Sequence, residues 1–489
     1  MNSWLLVYLP LAPMVVVAIT ALVVMLAIAT KRSHFWTATL SVIGLNAALL
    51  ASLLLFLGNV PVVPNPLFVV DGFALFNMIV VLIAALACCT LSYGYFGTLK
   101  DNKDELYLLM LIATLGALLM TSAQHLAAFF MALELLSVPM YGMLAYTFLR
   151  SRSLEAGLKY LVLSAAASAT LLMGMAFIFA DVGTLQFADF ARILGSGQIT
   201  PLFVLGAVMM FAAIAFKLSA APFHAWVSDV YEGAPAPVAA FLASVSKVAM
   251  MALALRFLAT SAIPALTAFN AVLIVVVVAS IVLGNVLALR QTNLKRLLAF
   301  SSVAHIGYAL VPLLSVGAAS TGVASMYMAV YALTSIGAFG VITLMSSPYR
   351  ERGHTSVSGE ADDLRFYQGL FWRRPVLTGI LTVMLLSLAG IPLTAGFMTK
   401  FVVILTSVQG MRFWAALLII LGSAIGLAYY LRVLVQLYQK PKAHLEFDAH
   451  DQWGIKAGGI MLFVVTVLIV LFGVLPNGLI ALAGLASIA

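Results

Sequence analysis

The chain has 489 residues, of which 25 are Lys or Arg and 17 are Asp or Glu, so only 9% are charged, against roughly 25% in soluble domains. Hydrophobic residues make up 64% and the mean hydropathy is +1.13, too much apolar surface for any water-soluble body to bury. This excludes a soluble enzyme, a disordered chain, a disulfide scaffold and a nucleic-acid binder, even though the net charge is +8.

A crossing of the hydrocarbon core needs about 20 mostly apolar residues. Fourteen spans are predicted, at 5–29, 35–58, 72–96, 105–122, 125–149, 155–180, 201–227, 234–258, 264–289, 295–314, 321–346, 375–409, 413–438 and 456–486. The first lacks a basic leader and is too long for a signal-peptide core, so it reads as a spanning helix. The third holds adjacent Cys88 and Cys89, which project in different directions on a helix. They fit neither a CxxC pair nor a zinc site and read as small apolar core residues. Spans 7 and 12 are long and interrupted by proline, and the one long polar loop is 347–374. The sequence holds no GxGxxG, Walker A, HExxH or CxxCH motif, so no cofactor and no metal are expected on this chain.

The basic residues carry the orientation. Seventeen lie in loops after odd-numbered spans: Lys31, Arg32, Lys100, Lys103, Arg150, Arg152, Arg290, Lys295, Arg296, Arg350, Arg352, Arg365, Arg373, Arg374, Lys440, Lys442 and Lys456. Only Arg192, Arg256 and Arg412 stand at the other side. The positive-inside rule makes the odd loops cytoplasmic and puts both termini outside. Asp229 and Glu232, after span 7, break the basic pattern locally.

The remaining basic residues, Lys159, Lys217, Lys247, Lys400 and Arg432, fall inside spans, as does Glu134. An intramembrane charge costs at least about 2.5–3.5 kcal/mol and is a functional candidate by default. The plainer readings are a helix-to-helix ion pair for Glu134 and snorkelling for the lysines, most of all for Lys159 and Arg432 near helix ends. Lys217 lies five residues before Pro222, and Lys400 follows Gly390, Pro392 and Gly396. A proline in a helix frees a carbonyl, and broken helices line transport sites near the midplane. A lysine that alternates between pairing with Glu134 and lying unpaired would bind and release a proton. His305 in span 10, near Ser301, Ser302 and Tyr308, and His224 after Pro222 are either relay groups or satisfied core histidines. Asp229 is a loop residue or lies at an access mouth.

Spans 4–8 and 9–13 run in parallel order, and the fourth member of each set is proline-broken and carries a lysine. Five spans per set start the second from the opposite side, the sign of inverted repeats. The expected fold is therefore an all-α membrane protein of about 14 transmembrane helices. Its parts are 1–104 (helices 1–3), 105–258 (first repeat), 259–440 (second repeat) and 441–489 (helix 14).

The stretches HFWTATLSVIGLNAALL, DNKDELYLLMLIATLG, LELLSVPMYG, RSLEAGLKYLVLSAAASA, FKLSAAPFHAWVSDVYEGAPAPVAAFLA, QTNLKRLLAFSSVAHIGY, AFGVITLMSSPYR, GLFWRRPVLT, LSLAGIPLTAGFMTKF and GSAIGLAYYLRVLVQLY carry a resemblance over essentially the whole length. The chain resembles the subunit N family of bacterial respiratory complex I, the proton-translocating NADH:quinone oxidoreductase. The resemblance implies fourteen helices, inverted repeats 4–8 and 9–13, and broken helices 7 and 12. It implies Glu134 and Lys217 as a coupled pair, Lys247 as the central lysine, Lys400 in broken helix 12, and Lys159 and His305 as accessory positions. A lysine at 400 and an end at Ala489 favour N over the sister subunits M, with a glutamate there, and L, with a long C-terminal lateral helix. It further implies FMN and iron–sulfur clusters in partner subunits, neighbours of the M, K and J types, and a bacterial inner membrane location. The competing readings are a multisubunit cation/proton antiporter, which shares this fold, and a structural subunit that conducts nothing.

Overall fold

A computed structural model of the chain describes residues 8–58, 65–97, 102–195, 200–261, 263, 267–314, 319–346, 351–352, 355–356, 360–440, 447–449 and 452–488. Lys100, Arg350 and Lys442 of the basic loops, and the start of the expected first span, lie outside them. Among the described residues, 13 helices are long and apolar enough to cross a bilayer. They are Leu9–Thr30, His34–Leu57, Gly72–Phe96, Glu105–Ser122, Leu126–Leu144, Ser151–Val182, Pro201–Leu218, Ala236–Ser261, Thr267–Leu289, Leu294–Leu314, Ser320–Met345, Phe413–Tyr438 and Ala457–Val474. Two shorter apolar helices, Pro375–Ala389 and Ala395–Gln409, together make span 12 of fourteen. In the polar loop before it, Glu351–Arg352 pairs antiparallel with Thr355–Ser356.

Local chemistry sets the helix starts. The Asp71 carboxylate accepts the Ala74 N–H at 2.8 Å at the head of span 3. Asn293 does the same for Arg296 at span 10 (3.1 Å), and Thr200 for Phe203 at span 7 (3.1 Å), where Pro201 opens the helix. These side chains satisfy backbone donors that have no partner inside the helix. Spans 8 and 10 are each buried through a stretch of 18 residues, whereas spans 1, 2, 6 and 14 turn most of their side chains outward. That outward surface is apolar, with Leu26, Leu54, Leu158 and Phe463 among its exposed side chains. The arrangement suits lipid outside and leaves the polar groups to face one another within.

Two boundaries differ from the sequence reading. Span 7 stops at Leu218, four residues ahead of Pro222. Ser219 takes the left-handed conformation (φ 58°), and its N–H closes onto the carbonyls of Ala215 and Phe216. The chain then turns and forms a separate short helix, Ala225–Gly233. Span 14 is not one helix over 456–486: it ends at Val474, and Asn477–Leu485 follows after Pro476. Pro139, by contrast, sits inside an unbroken Leu126–Leu144. Span 12 breaks where expected, with Gly390 left-handed (φ 85°) after Ala389 and a restart at Ala395.

Candidate charge-relay site

Lys217, Lys247 and Lys400 are all buried, at 7%, 1% and 6% exposure. Each ammonium is held by neutral oxygens. Lys217 donates to Ser137 Oγ at 2.8 Å on span 5 and to Ser164 Oγ at 2.6 Å on span 6. Ser164 also bonds the Tyr141 hydroxyl at 3.0 Å. Lys247 donates to the Leu218 carbonyl at 2.9 Å and to Ser219 Oγ. Lys400 donates to the Leu388 and Ala389 carbonyls at 2.8 and 3.1 Å and lies over the Tyr308 ring, 5.0 Å from its centroid.

The two broken helices therefore share one device. Each ends in a left-handed residue that leaves terminal carbonyls without helical partners, and each has those carbonyls taken by a lysine. The negative end of the helix dipole favours a cation there. The sequence reading placed Lys217 beside the first break. The structure gives that break to Lys247, from the next span, and turns Lys217 toward spans 5 and 6.

Glu134 and Lys217 form no direct ion pair among the described residues. Glu134 accepts from Ser168 Oγ at 2.5 Å, and Ser168 stands one helical turn from Ser164, the partner of Lys217. Two hydroxyls four residues apart on span 6 lie on one face, so that helix bridges the pair. Among the described residues Glu134 and Lys217 thus stand unpaired, each hydrogen-bonded to a serine of span 6.

His305 is 5% exposed. Its Nδ1 meets the Tyr327 hydroxyl at 2.7 Å and its Nε2 the Tyr430 hydroxyl at 3.5 Å. Tyr430 bonds Ser301, Asn285 donates to the Tyr308 hydroxyl at 2.9 Å, and the Tyr429 hydroxyl donates to Asn285 at 3.2 Å. Tyr308, which also meets Lys400, joins this cluster to span 12. The sequence reading named Ser301 and Tyr308 but missed Asn285, Tyr327, Tyr429 and Tyr430. Buried tyrosines carry no charge to betray them, and three of these four come from other spans than His305 and Asn285.

Lys159 stands apart. Span 6 has 32 residues, about 48 Å at 1.5 Å per residue, against a core of about 30 Å. Its first turns therefore project, and Lys159 lies in a polar pocket of about 270 Å³ lined by Arg152, Glu155, Asp229, Glu232 and Arg296. It pairs with Asp229 at 2.8 Å and Glu155 at 2.7 Å, while Arg296 pairs with Asp229 at 2.9 Å and Glu232 at 2.7 Å. Burial pushes the Asp229 carboxyl up, but the Lys159 hydrogen bond and the charges of Lys159 and Arg296 outweigh it and hold the group below its ordinary value. His224 precedes the helix Ala225–Gly233 and meets the Phe300 ring edge-on at 6.5 Å. Arg432 reaches the Leu289 carbonyl at 2.7 Å and the Gln291 carbonyl at 2.5 Å. It closes the end of span 9 instead of snorkelling.

Two loop charges in the orientation tally are structural. Arg256 is buried and grips Asp71 through both guanidinium nitrogens at 2.7 and 2.9 Å. Lys295 is fully buried against Glu360. Cys88 and Cys89 are free and buried. Among the described residues no group of three or more His, Cys, Asp or Glu is placed to hold a metal ion.

The profile of the NADH:quinone oxidoreductase/Mrp antiporter transmembrane family matches residues 123–426. The chain belongs to that family. A relative from Psychrobacter arcticus, named NADH-quinone oxidoreductase subunit N, is 61% identical over 485 residues, covering 98% of this chain and 97% of its own. One of the same name from Acinetobacter baumannii is 51% identical, covering 98% and 95%. A chain of respiratory complex I from Thermus thermophilus superposes with a TM-score of 0.81 at 29% identity, covering 97% of this chain and 100% of that one. A chain of the Mrp complex from Dietzia shares the fold at 0.84 and 20% identity, covering 98% and 97%. This family member is an antiporter-like membrane subunit of NADH–quinone oxidoreductase, and other subunits of that complex are its partners.

Proposed function

We propose that this subunit moves protons across the membrane through Glu134, Lys217, Lys247, His305 and Lys400, driven by NADH oxidation and quinone reduction in its partner chains. The observation that carries this is the set of three buried lysines held by hydroxyl and carbonyl oxygens with no carboxylate at ion-pair distance among the described residues. An ammonium with neutral partners gives up its proton without stranding a buried counter-charge, which would be costly. Lys217, Lys247 and Lys400 thus act as stations, Glu134 biases Lys217 through the serines of span 6, and the His305 tyrosine cluster meets Lys400 through Tyr308. Lys159, Asp229 and His224 stand at the access side. FMN and iron–sulfur clusters belong to partner chains, and subunits of the M, K and J types are the expected neighbours. Residues 105–258 and 259–440 form the inverted repeats, and both termini face outward from a bacterial inner membrane.

The test is Lys217→Ala and Lys247→Ala in the assembled complex in sealed vesicles, reading NADH oxidation and proton uptake together. Proton uptake per NADH is expected to fall in both. Wild-type uptake in a fully assembled variant overturns the relay, and sodium-driven exchange by the partner-free chain would favour an antiporter instead.

A further inference from the structure

Glu360 lies in the polar loop and is 4% exposed, a carboxylate buried at the end of the bundle that carries the basic loops. Its Oε1 accepts from the Tyr95 hydroxyl at 2.5 Å and the Ala236 N–H at 2.9 Å, with Arg150 Nη1 at 3.6 Å, and its Oε2 accepts from Lys295. Lys295 also donates to the Ala234 carbonyl at 2.7 Å. One carboxylate thus holds the end of span 3, the first residue of span 8 and the second residue of span 10.

Spans 8 and 10 carry Lys247 and His305. Lys247 comes 11 residues after Ala236, and His305 comes 10 after Lys295. At 1.5 Å per residue they stand about 15–17 Å above the residues the carboxylate holds, half the depth of a core of about 30 Å. Between Ala236 and Lys247 lies the π-helical turn Leu242–Ser246, which changes the face that later residues present. The side on which Lys247 emerges therefore depends on where span 8 is fixed. The residues just after Glu360 are themselves held: Ala361 N–H donates to Ser346 Oγ at 3.0 Å and the Tyr367 hydroxyl to the Ala361 carbonyl at 2.6 Å. Leu294 N–H donates to the Asp362 carbonyl at 2.6 Å.

We propose that Glu360 is a positioning residue for the relay, setting the depth and facing of Lys247 and His305 from a single buried anchor. This rests on the relay reading. The carboxylate acts by holding Ala236 N–H, the Tyr95 hydroxyl and Lys295, and carries no proton across the membrane itself.

The test uses the whole complex in sealed vesicles, reading assembly, NADH oxidation, proton uptake per NADH and its pH profile. Glu360→Ala is expected to lower uptake per NADH by about tenfold, as a misplaced reacting group does, and to shift the pH profile. Glu360→Gln combined with Lys295→Met keeps an oxygen for Tyr95 and Ala236, so span 8 stays anchored, while span 10 loses its tie. It removes both charges of the Glu360–Lys295 pair together, a change proteins often tolerate. Uptake in this double variant is expected to fall by only about twofold to threefold, because Lys247 keeps its depth and only His305 loses its anchor. If Glu360→Ala does not assemble, the double variant decides. Wild-type uptake in Glu360→Ala, or a double variant that fails to assemble or to pump, overturns the proposal. Lys247→Ala run alongside keeps the two ideas apart: normal pumping there sinks the relay however Glu360 behaves, and lost pumping there with normal Glu360→Ala sinks only the anchor.

Discussion

Ser164 decides the surroundings of the first lysine. Its hydroxyl takes one of the two hydrogen bonds described for Lys217 and also bonds Tyr141. Ser164→Ala leaves Lys217 and Tyr141 each short of a partner, at a cost of about 1–3 kcal/mol. The expected result is lower proton uptake per NADH with normal assembly, while Ser164→Thr, which keeps a hydroxyl, retains most of it. Equal uptake in Ser164→Ala and wild type would show that the Lys217 partners are interchangeable. The charged candidates were legible because a charge in an apolar run is conspicuous in one dimension. Ser137, Ser164 and Asn285 were not, because an isolated small polar residue in such a run costs little and bonds its own helix as readily as a neighbour.

At the scale of elements, the breaks matter more than the prolines near them. Gly390 ends the first half of span 12 at φ 85°, a conformation that costs an L-residue about 1–2 kcal/mol. A Cβ there would stand 2.8 Å from Lys400 Cδ. Gly390→Ala is therefore expected to push Lys400 off the Leu388 and Ala389 carbonyls and lower both the melting temperature of the complex and its proton uptake. Gly379→Ala, in the same helix with open space around it, is the matched control and is expected to leave both unchanged. If the two variants behave alike, the left-handed cap is not what seats Lys400. The sequence pointed to this break through Gly390, Pro392 and Gly396, yet misplaced the one in span 7. There Ser219 adopts the left-handed turn, a residue type that gives no warning of it.

At the scale of the whole molecule, span 8 is pinned against span 3 at both ends. Glu360 joins Tyr95 to Ala236 at one end, and Asp71 grips Arg256 at the other. Arg256→Met leaves the half-buried Asp71 carboxylate without its ion partner, and losing a charged hydrogen-bond partner there costs about 1.5–3 kcal/mol. Burial pushes the Asp71 carboxyl up, but the Arg256 hydrogen bond and charge outweigh it and hold the group below its usual value. A folded-state value below the unfolded one of about 3.9 gives stability that is present above that pH and is lost as pH falls through the folded value. The melting temperatures of wild type and Arg256→Met are thus expected to differ most near neutrality and to converge in acid. A gap that does not narrow in acid would remove the ion pair as its cause. Topology gives a further expectation: cysteine labels placed in the loop at 290–292 react from the cytoplasmic side only, and reaction from outside would reverse the assigned orientation.

Composition and periodicity alone determined the membrane class, the number of crossings and which charges interrupt apolar runs. These follow from transfer energies that act residue by residue along the chain. The family resemblance was equally one-dimensional, carried by contiguous motifs. Only the tertiary structure decided which oxygen each lysine meets, because Lys247 and Leu218, or Glu360 and Ala236, lie on separate helices whose meeting depends on packing. It also moved Arg256 and Lys295 from an orientation code to buried anchors. Sequence position records that a charge lies near a helix end, but burial depends on whether another chain segment covers that end.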